Sequence, residues 1–322
     1  MSVVRQLGQQ IDSVNRAVAL YTNALAALER QEFDKGILDD LANPPPQLAE
    51  FAATFSSFAD QIISKRRQQE EMASAALIQQ SFLPKESTVN VIDSDVEIRA
   101  KIRPAREVGG DFYDFFKLDA DRLAIVIGDV CGKGIPASIF MAVVVTVLRM
   151  AAREEPDAAA TIARANAILC RDNAASLFAT TFYAVLNLRN GTLEYCNCGH
   201  NAPVHIPASG GPRRLAPTGL PLALFADRPA AASCIQLNPG DDLILFTDGV
   251  TEAVNPSKEE FGDRLLVETL LGSRDSPAAE LVSRLFAAVD SFAQGEAQAD
   301  DIACVAIRRR DLVATANPKP PS

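Results

Sequence analysis

The 322-residue sequence predicts an α+β protein with mostly antiparallel sheets, preceded by a helical region. Apolar residues recur with heptad spacing up to about residue 83, which favours long helices. From about residue 90 the chain changes to short apolar strands separated by turn residues and a few helical stretches. Because strands and helices are grouped rather than alternating one by one, antiparallel pairing is favoured over a parallel sheet.

The bulk composition is that of a globular protein and argues against nucleic-acid binding. Hydrophobic residues make up 48% of the chain, and the formal net charge is −10. A phosphate-binding surface needs clustered Lys and Arg instead. The N-terminus lacks the pattern of a signal peptide, no apolar stretch has the length of a membrane span, and the six cysteines are scattered. We therefore expect a cytoplasmic protein with reduced thiols.

The N-terminal region predicts two helices with a heptad seam each. Apolar residues of the first are spaced alternately by four and three: Leu7, Ile11, Val14, Val18, Tyr21, Leu25 and Leu28. Those of the second are Leu48, Phe51, Phe55, Phe58 and Ile62. The connector runs from Gln31 to about Pro46, with Phe33, Ile37, Leu38 and Leu41 as apolar anchors. This pattern resembles a HAMP signalling module, a parallel dimeric four-helix bundle; a plain helical hairpin or coiled coil is the alternative.

The second region predicts strands in the segments RLAIVIGDV, DDLILFTDG and DIACVAIRR. The segments LFATTFYAVLNL and TLEYCNCG flank Asn190-Gly191, which predicts a β-hairpin. Helices are expected at about 135–153, 156–172, 261–271 and 277–293.

Four aspartates stand at predicted strand ends or beside glycines, where an ordinary fold does not need them: Asp111, Asp129, Asp248 and Asp300. Such acids suit Mg²⁺ or Mn²⁺, which take oxygen ligands. His200 and His205 lack a nearby serine or cysteine elbow, and no phosphate-binding glycine loop is present. A two-metal hydrolase is the remaining simple interpretation. The alternative is that these aspartates only form turns.

The order of motifs resembles one family. PAREVGGDFYDFF, IGDVCGKGIPAS, FATTFYAVLN, CGHNAP, GLPLAL, GDDLILFTDGVTEA and DDIACVAI follow one another between about residues 100 and 308. Their order is similar to that of the SpoIIE/RsbU-type branch of the PPM, or type 2C, metal-dependent protein phosphatases. The resemblance implies a sandwich of two antiparallel β-sheets flanked by helices, with two Mn²⁺ or Mg²⁺ ions in a cleft at one end.

The resemblance also assigns the metal ligands. It implies that Asp129 bridges both ions, with the Val130 carbonyl as a further ligand. Asp248 and Asp300 match acids that hold one metal, and Asp111 matches an acid that reaches a metal directly or through water. Asp301 occupies the position beside a ligand. Two other acids of the region are expected to be solvated or structural: Asp114 and Asp119.

Two departures from the family pattern concern the chemistry. Many type 2C enzymes carry a histidine two residues after the bridging acid, where this chain has Cys131. The phosphate-binding arginine has no certain match, and Arg103 and Arg106 are the candidates. His200 is expected to have a structural role in its loop rather than that of a catalytic acid.

The resemblance implies a protein-serine/threonine phosphatase that acts on a STAS-type anti-anti-sigma factor in bacterial partner switching, as a homodimer. The helices at about 135–152 and 156–172 are expected to form a regulatory switch on which the N-terminal helices act. The predicted segments are a HAMP-like module (1–63), a helical linker (64–86), the phosphatase domain (87–311) and a disordered tail (312–322). Two alternatives are a nucleotidyl cyclase, suggested by the letters GGDF, and a pseudophosphatase whose coiled coil is the working part.

Overall fold

The computed structural model describes residues 2–30, 44–84, 96–171, 173–227, 230–274 and 276–310. The chain divides into two compact units, Met1–Ala73 and Ser74–Ser322. This division falls inside the predicted linker 64–86. The four apolar anchors of the predicted connector and the predicted tail 312–322 lie outside the described residues.

The described residues of the N-terminal unit form two long helices, whose contact is made by small and aromatic residues. Helix α1 spans Ser2–Glu29; a 3-10 turn at Pro46–Leu48 leads into α2, Ala49–Phe82, which continues past the end of this unit. The buried residues of the unit are Ala17, Tyr21, Ala24, Ala52, Phe55 and Ala59. The Tyr21 ring packs edge-on against Phe51 and Phe55, with centroids 5.0 and 5.3 Å apart. Of the predicted α1 seam, Leu7, Ile11, Val18 and Leu25 remain exposed in the single chain.

Within the part of the second unit that the structure describes, ten strands form two antiparallel sheets. The strands of the first sheet are, in spatial order, β1 (Val96–Arg103), β10 (Ile302–Arg309), β9 (Asp242–Phe246), β6 (Val204–Ile206) and β7 (Arg213–Arg214). Those of the second are β2 (Phe112–Lys117), β3 (Arg122–Val130), β4 (Ala179–Asn187), β5 (Thr192–Cys198) and β8 (Ser233–Gln236). The expected α+β class with antiparallel sheets is confirmed.

Helices cover the outer faces of the sandwich. Helices α3 (Ile135–Glu154) and α4 (Ala158–Arg171) belong to the second sheet's outer core. A short α5 (Asp248–Thr251) follows β9, and α6 (Gly262–Leu271) and α7 (Ala278–Ala293) lie against the first sheet. All four longer helices lie within one or two residues of their predicted bounds.

The period-two pattern of the strands explains the layers. In β3, Leu123, Ile125 and Ile127 point between the two sheets, whereas Ala124 and Val126 belong to the core under α3 and α4. The predicted hairpin is confirmed: β4 pairs with β5, and the loop between them ends in Gly191 at φ +77°. A positive φ there favours glycine over residues with a Cβ atom.

An ion pair between a partly exposed arginine and a buried aspartate joins α3 to the second sheet. Arg149 donates from Nε to Oδ2 of Asp114 at 2.5 Å and from a terminal nitrogen to Oδ1 at 2.8 Å. The Asp114 side chain is buried, so it is structural rather than solvated. By length and composition α3 could cross a membrane, but half of it is buried in this fold, which makes this weak evidence for a span.

Candidate active site

The four aspartates predicted to bind metal occupy the ends of neighbouring strands from both sheets. Asp111 immediately precedes β2, and Asp129 is the penultimate residue of β3. Asp248 begins α5 two residues after β9, and Asp300 lies just before β10. β9 pairs with β10 and β2 pairs with β3, so each sheet supplies two of the acids.

Electrostatics show that these carboxyl groups lie near one another. Burial and the nearby Asp248, Asp300 and Asp301 raise the pKa of Asp129 to about 7, partly offset by a hydrogen bond with Asp111. Burial, followed by the charge of Asp129, raises the pKa of Asp111 well above its ordinary value. Burial and Asp300 also raise the pKa of Asp248. Among the described residues Lys133 pairs with Asp300, so the negative charge of the cluster is compensated only in part.

Two glycines allow the loop before β2 to approach the other acids closely. A Cβ atom on Gly110 would lie 2.7 Å from the Val130 carbonyl oxygen and 2.9 Å from Oδ1 of Asp129. A Cβ atom on Gly109 would lie 1.8 Å from Oδ2 of Asp301. Real side chains do not tolerate such distances, so glycine is required for the loop to reach this position.

The Asp301 side chain binds the backbone of this loop. Its Oδ1 accepts a hydrogen bond from the Ala105 N–H at 2.8 Å, and its Oδ2 accepts one from the Gly110 N–H at 2.8 Å. The Asp111 N–H lies 3.4 Å from the same Oδ2. Asp301 thus holds the backbone of the loop that carries Asp111, beside the predicted ligand Asp300.

Thr247 orients Asp111. Its hydroxyl donates to Oδ2 of Asp111 at 2.6 Å and accepts from the Ala303 N–H at 2.9 Å. Both hydrogen-bonding roles of this buried hydroxyl are filled, so its direction is fixed. The contact joins the end of β9 to the loop before β2.

Lys133 lies beside Asp300. Its Nζ donates to Oδ2 of Asp300 at 2.8 Å and to the Ala299 carbonyl at 3.0 Å. It stands in the loop between Gly132 and Gly134, both at positive φ. Arg106 is exposed and close enough for its charge to lower the pKa of Lys133, although the hydrogen bond with Asp300 dominates and raises it.

The other candidate arginine, Arg103, lines a cavity together with Lys133 and Asp300 but is held by other side chains. Arg103 donates to Oε1 of Gln298 at 2.7 Å, pairs with Asp290 at 2.7 Å and lies over the Phe286 ring. Both predicted phosphate-binding arginines therefore lie near Lys133, and Arg103 is held by its contacts with Gln298 and Asp290.

Cys131 is two residues after Asp129 in the sequence, and His200 is linked to Asp129 in the fold through Thr180. The Phe178 N–H lies 3.2 Å from the Cys131 sulfur, which accepts its hydrogen bond. His200 is buried, its Nδ1 lies 3.0 Å from the Thr180 hydroxyl, and burial lowers its pKa to about 4. The Thr180 hydroxyl is also 3.4 Å from the Asp129 carbonyl oxygen. A buried imidazole whose lowered pKa keeps it neutral supports the structural role expected for His200.

The donor chemistry fits hard divalent cations. Several carboxylates and a backbone carbonyl provide the oxygen ligands that Mg²⁺ and Mn²⁺ prefer, and a cation would supply the missing positive charge. Within the described residues, however, no three His, Cys, Asp or Glu side chains are arranged as a ready set of metal ligands. Asp111 and Asp300 are each turned to a protein donor instead. The ligand assignment therefore stays a prediction.

Sequence reasoning missed Thr247 and Lys133 as partners of the acids. Both residues lie inside motifs that carry the family resemblance, but nothing in the sequence indicated that they contact Asp111 and Asp300. Side-chain contacts between residues 136 or 167 positions apart leave no local signal in a single sequence.

Comparison with known proteins identifies relatives of this fold and sequence. Residues 119–310 match the family described as Stage II sporulation protein E (SpoIIE). Protein IcfG of Synechocystis sp. is 33% identical over 267 residues, which cover 74% of this chain and 41% of IcfG. Phosphoserine phosphatase RsbU of Bacillus subtilis is 28% identical over 242 residues, covering 74% of this chain and 70% of RsbU. The chain thus spans less than half of the first relative.

Solved structures share the fold. The SiaA-PP2C domain of Pseudomonas aeruginosa has a TM-score of 0.68 at 20% identity, covering 77% of this chain and 99% of that domain. RsbX, solved in complex with magnesium, has a TM-score of 0.52 at 15% identity, covering 68% of this chain and 98% of RsbX. At these identities the likeness concerns the fold alone, and the predicted PPM-type sandwich is confirmed.

Proposed function

Since the chain belongs to the SpoIIE family, in the SpoIIE/RsbU branch of the PPM protein phosphatases, we propose that it hydrolyses phosphoserine or phosphothreonine on a protein substrate. The observation that carries the proposal is the convergence of Asp111, Asp129, Asp248 and Asp300 at one end of the sandwich, where burial and mutual repulsion raise the pKa of three of them.

Two Mn²⁺ or Mg²⁺ ions are the proposed cofactors, held by these four aspartates and the Val130 carbonyl. When bound, such a pair lowers the pKa of a shared water and neutralises charge on the phosphoryl oxygens. The chain's own part is to fix the carboxylates: Thr247 holds Asp111, and Asp301 holds the backbone before it. Fixed carboxylates need little reorganisation during the reaction, which lowers its barrier.

Positive charge for the phosphoryl group comes from Lys133 and Arg106 in this proposal. Lys133 reaches Asp300 from the glycine loop after β3, and Arg106 is exposed nearby. Cys131 occupies the position of the usual histidine, so water rather than an imidazole protonates the leaving group. His200 takes no part because its ring is buried behind Thr180.

The proposed substrate is a phosphorylated STAS-domain anti-anti-sigma factor, in a cytoplasmic partner-switching pathway such as a stress response. RsbU, a relative along most of its length, is by name a phosphoserine phosphatase, which supports a phosphoprotein target. The finer STAS assignment depends on family membership and on no residue of this chain. The N-terminal helices are proposed to form a HAMP-like homodimeric module, since four seam residues of α1 are exposed in the single chain.

Hydrolysis of a generic aryl phosphate, with and without Mn²⁺, tests the proposal. We expect manganese-dependent turnover that Asp129→Asn reduces by more than about a hundredfold, because a bridging ligand is lost. Asp60→Asn, on the exposed face of α2, is the matched control and keeps wild-type turnover. Metal-bound protein that hydrolyses neither this compound nor phosphoserine peptides would refute the enzymatic proposal. Protein that binds no metal would favour the pseudophosphatase alternative.

A further inference from the structure

The last turn of α2 contacts the loop that carries Asp111. The side-chain Nε2 of Gln79 donates to the Gly109 carbonyl at 2.6 Å, and the Gly109 N–H donates to Oε1 of Gln79 at 3.3 Å. Both residues belong to the unit Ser74–Ser322. An amide side chain carries a donor and an acceptor side by side, so it can bind both groups of one backbone residue, as a neighbouring strand does. This double match also fixes which way the amide points.

The opposite side of the same loop is held by Asp301. Its carboxylate accepts hydrogen bonds from Ala105 and Gly110 and lies against the Cα atom of Gly109, where no Cβ would fit. Gly109 is thus fixed between Gln79 and Asp301, two residues before Asp111. A shift of the Gly109 peptide would be passed directly to the Asp111 backbone, since Gly110 is the single residue between them.

The loop that carries Asp111 has a cavity beside it, so its position depends on these hydrogen bonds as well as on packing. A cavity of about 480 Å³ is lined both by the end of α2 and by Asp111, with Leu77, Tyr113 and Glu107 among its other lining residues. The end of the helix is itself attached to the fold: Leu83 packs against the core under α3, and the Tyr113 hydroxyl donates to the Pro84 carbonyl at 3.3 Å. Gln79 therefore extends from an anchored helix end to a loop that has open space beside it.

We propose that Gln79 is a positioning residue for Asp111. It fixes the Gly109 peptide, so the end of α2 sets the place of the Asp111 carboxylate and, through it, the affinity of the site for a divalent cation. The effect on metal affinity rests on the proposed function. The effect on the loop is a property of the metal-free chain and can be measured without it.

The first measurement is amide hydrogen exchange of the segment 105–112 in the metal-free full chain. Gln79→Met keeps the length of the side chain but removes both hydrogen bonds, and we expect exchange in this segment to become about tenfold faster. Gln79→Glu keeps the acceptor for the Gly109 N–H but loses the donor, so its exchange should be intermediate. Gln80→Ala, on the neighbouring exposed residue, is the control and should match wild type. Unchanged exchange in Gln79→Met overturns the inference.

The second measurement is calorimetric titration with Mn²⁺ alone. We expect the dissociation constant to rise about tenfold or more in Gln79→Met, less in Gln79→Glu and not at all in Gln80→Ala, as for other residues that orient a ligand. Turnover of an aryl phosphate at saturating Mn²⁺ should stay near wild type, because the residue acts through Asp111 rather than on the substrate. An equal dissociation constant in all four proteins overturns the inference.

Two checks keep the outcomes separate. Wild-type protein that binds Mn²⁺ without turnover, or binds none, counts against the proposed function, whereas the exchange comparison still decides whether Gln79 holds the loop. Thermal unfolding reports whether each variant folds. If Gln79→Met does not fold, the comparison of Gln79→Glu with Gln80→Ala decides in its place.

Discussion

The hydroxyl of Thr247 donates a 2.6 Å hydrogen bond to Oδ2 of Asp111, across 136 residues of chain. This contact joins β9 of one sheet to the loop before β2 of the other, so it depends on the assembled sandwich. The same hydroxyl accepts the Ala303 N–H, which ties the pair to β10. The direction of Asp111 is therefore set by strands of the opposite sheet.

Replacing Thr247 tests the importance of this direction. Thr247→Val keeps the shape of the side chain but removes the hydroxyl, and we expect the Mn²⁺ dissociation constant to rise about tenfold. Thr247→Ser keeps the hydroxyl and should restore most of the affinity. Calorimetric titration measures both variants. If Thr247→Val and Thr247→Ser bind Mn²⁺ equally well, the hydroxyl does not position Asp111.

Gly110→Ala tests the close approach of the loop to Asp129. The added Cβ would lie 2.7 Å from the Val130 carbonyl oxygen, and neither that backbone atom nor the adjacent Asp129 can move without disturbing the predicted ligands. We expect metal-dependent turnover to fall at least tenfold, by about the amount that a displaced ligand costs. Gly211→Ala is the control, since its Cβ would meet no atom within 4 Å. Normal kinetics in Gly110→Ala would show that the loop can relax.

The acid cluster predicts how the stability of the metal-free protein depends on pH. Folding raises the pKa of Asp129 from its usual 3.8 to about 7, so the folded state binds this proton more tightly than the unfolded state does. The contribution of Asp129 to the free energy of unfolding should therefore be largest near pH 4. It should fall as the pH rises from about 4 to about 7.

Thermal unfolding in the presence of a chelator measures this effect. We expect the midpoint to fall across that pH window in the wild type and to fall less in Asp129→Asn, which carries no proton to lose. Added Mn²⁺ should stabilise the wild type increasingly towards pH 7, because a ligand of the folded state raises its stability. Identical slopes for the wild type and Asp129→Asn would contradict the assignment of the shift to this residue.

Removing Arg149 should destabilise the fold, because it would leave the buried carboxylate of Asp114 unpaired. Arg149→Leu would leave Asp114 without its partner, and we expect the free energy of unfolding to fall by about 3 kcal/mol. The double variant with Asp114→Asn removes the stranded charge and should recover part of this loss. Chemical denaturation of the two variants checks the prediction. A double variant no more stable than Arg149→Leu would argue against a stranded charge as the cause.

The exposed seam of α1 predicts self-association. Leu7, Ile11, Val18 and Leu25 are 43–55% exposed, at spacings of four and seven that a second helix can cover. Light scattering after size exclusion should report a dimer for the wild type and a monomer for Ile11→Glu/Val18→Glu. Gln10→Glu, on an exposed neighbouring position, should remain dimeric. A monomeric wild type at tens of micromolar would contradict the proposed homodimer.

The sequence predicted the secondary-structure elements, and the strand ends that carry the four acids, better than it predicted side-chain contacts. Strand alternation in RLAIVIGDV, the Asn190-Gly191 hairpin and the four acids are local patterns, and the structure contains each of them as expected. The partners of Asp114 and Asp111 could not be predicted, because Arg149 and Thr247 approach only when a helix or the other sheet packs. The spacing of apolar residues predicted the seam of α1. It did not predict that α2 would cover Tyr21 and leave Leu7, Ile11, Val18 and Leu25 exposed.

The pairing of β1 with β10 has a consequence for synthesis of the protein. Val96 lies opposite Arg309, so the first and last strands of the sandwich are direct neighbours. Asp300 and Asp301 arrive immediately before this last strand, and Asp301 then binds the loop around Gly110. A nascent chain on the ribosome therefore holds an incomplete acid cluster until β10 has emerged. A chain that ends before Asp300 lacks Asp300, Asp301 and the strand that β1 pairs with, so we expect it to have no hydrolytic activity.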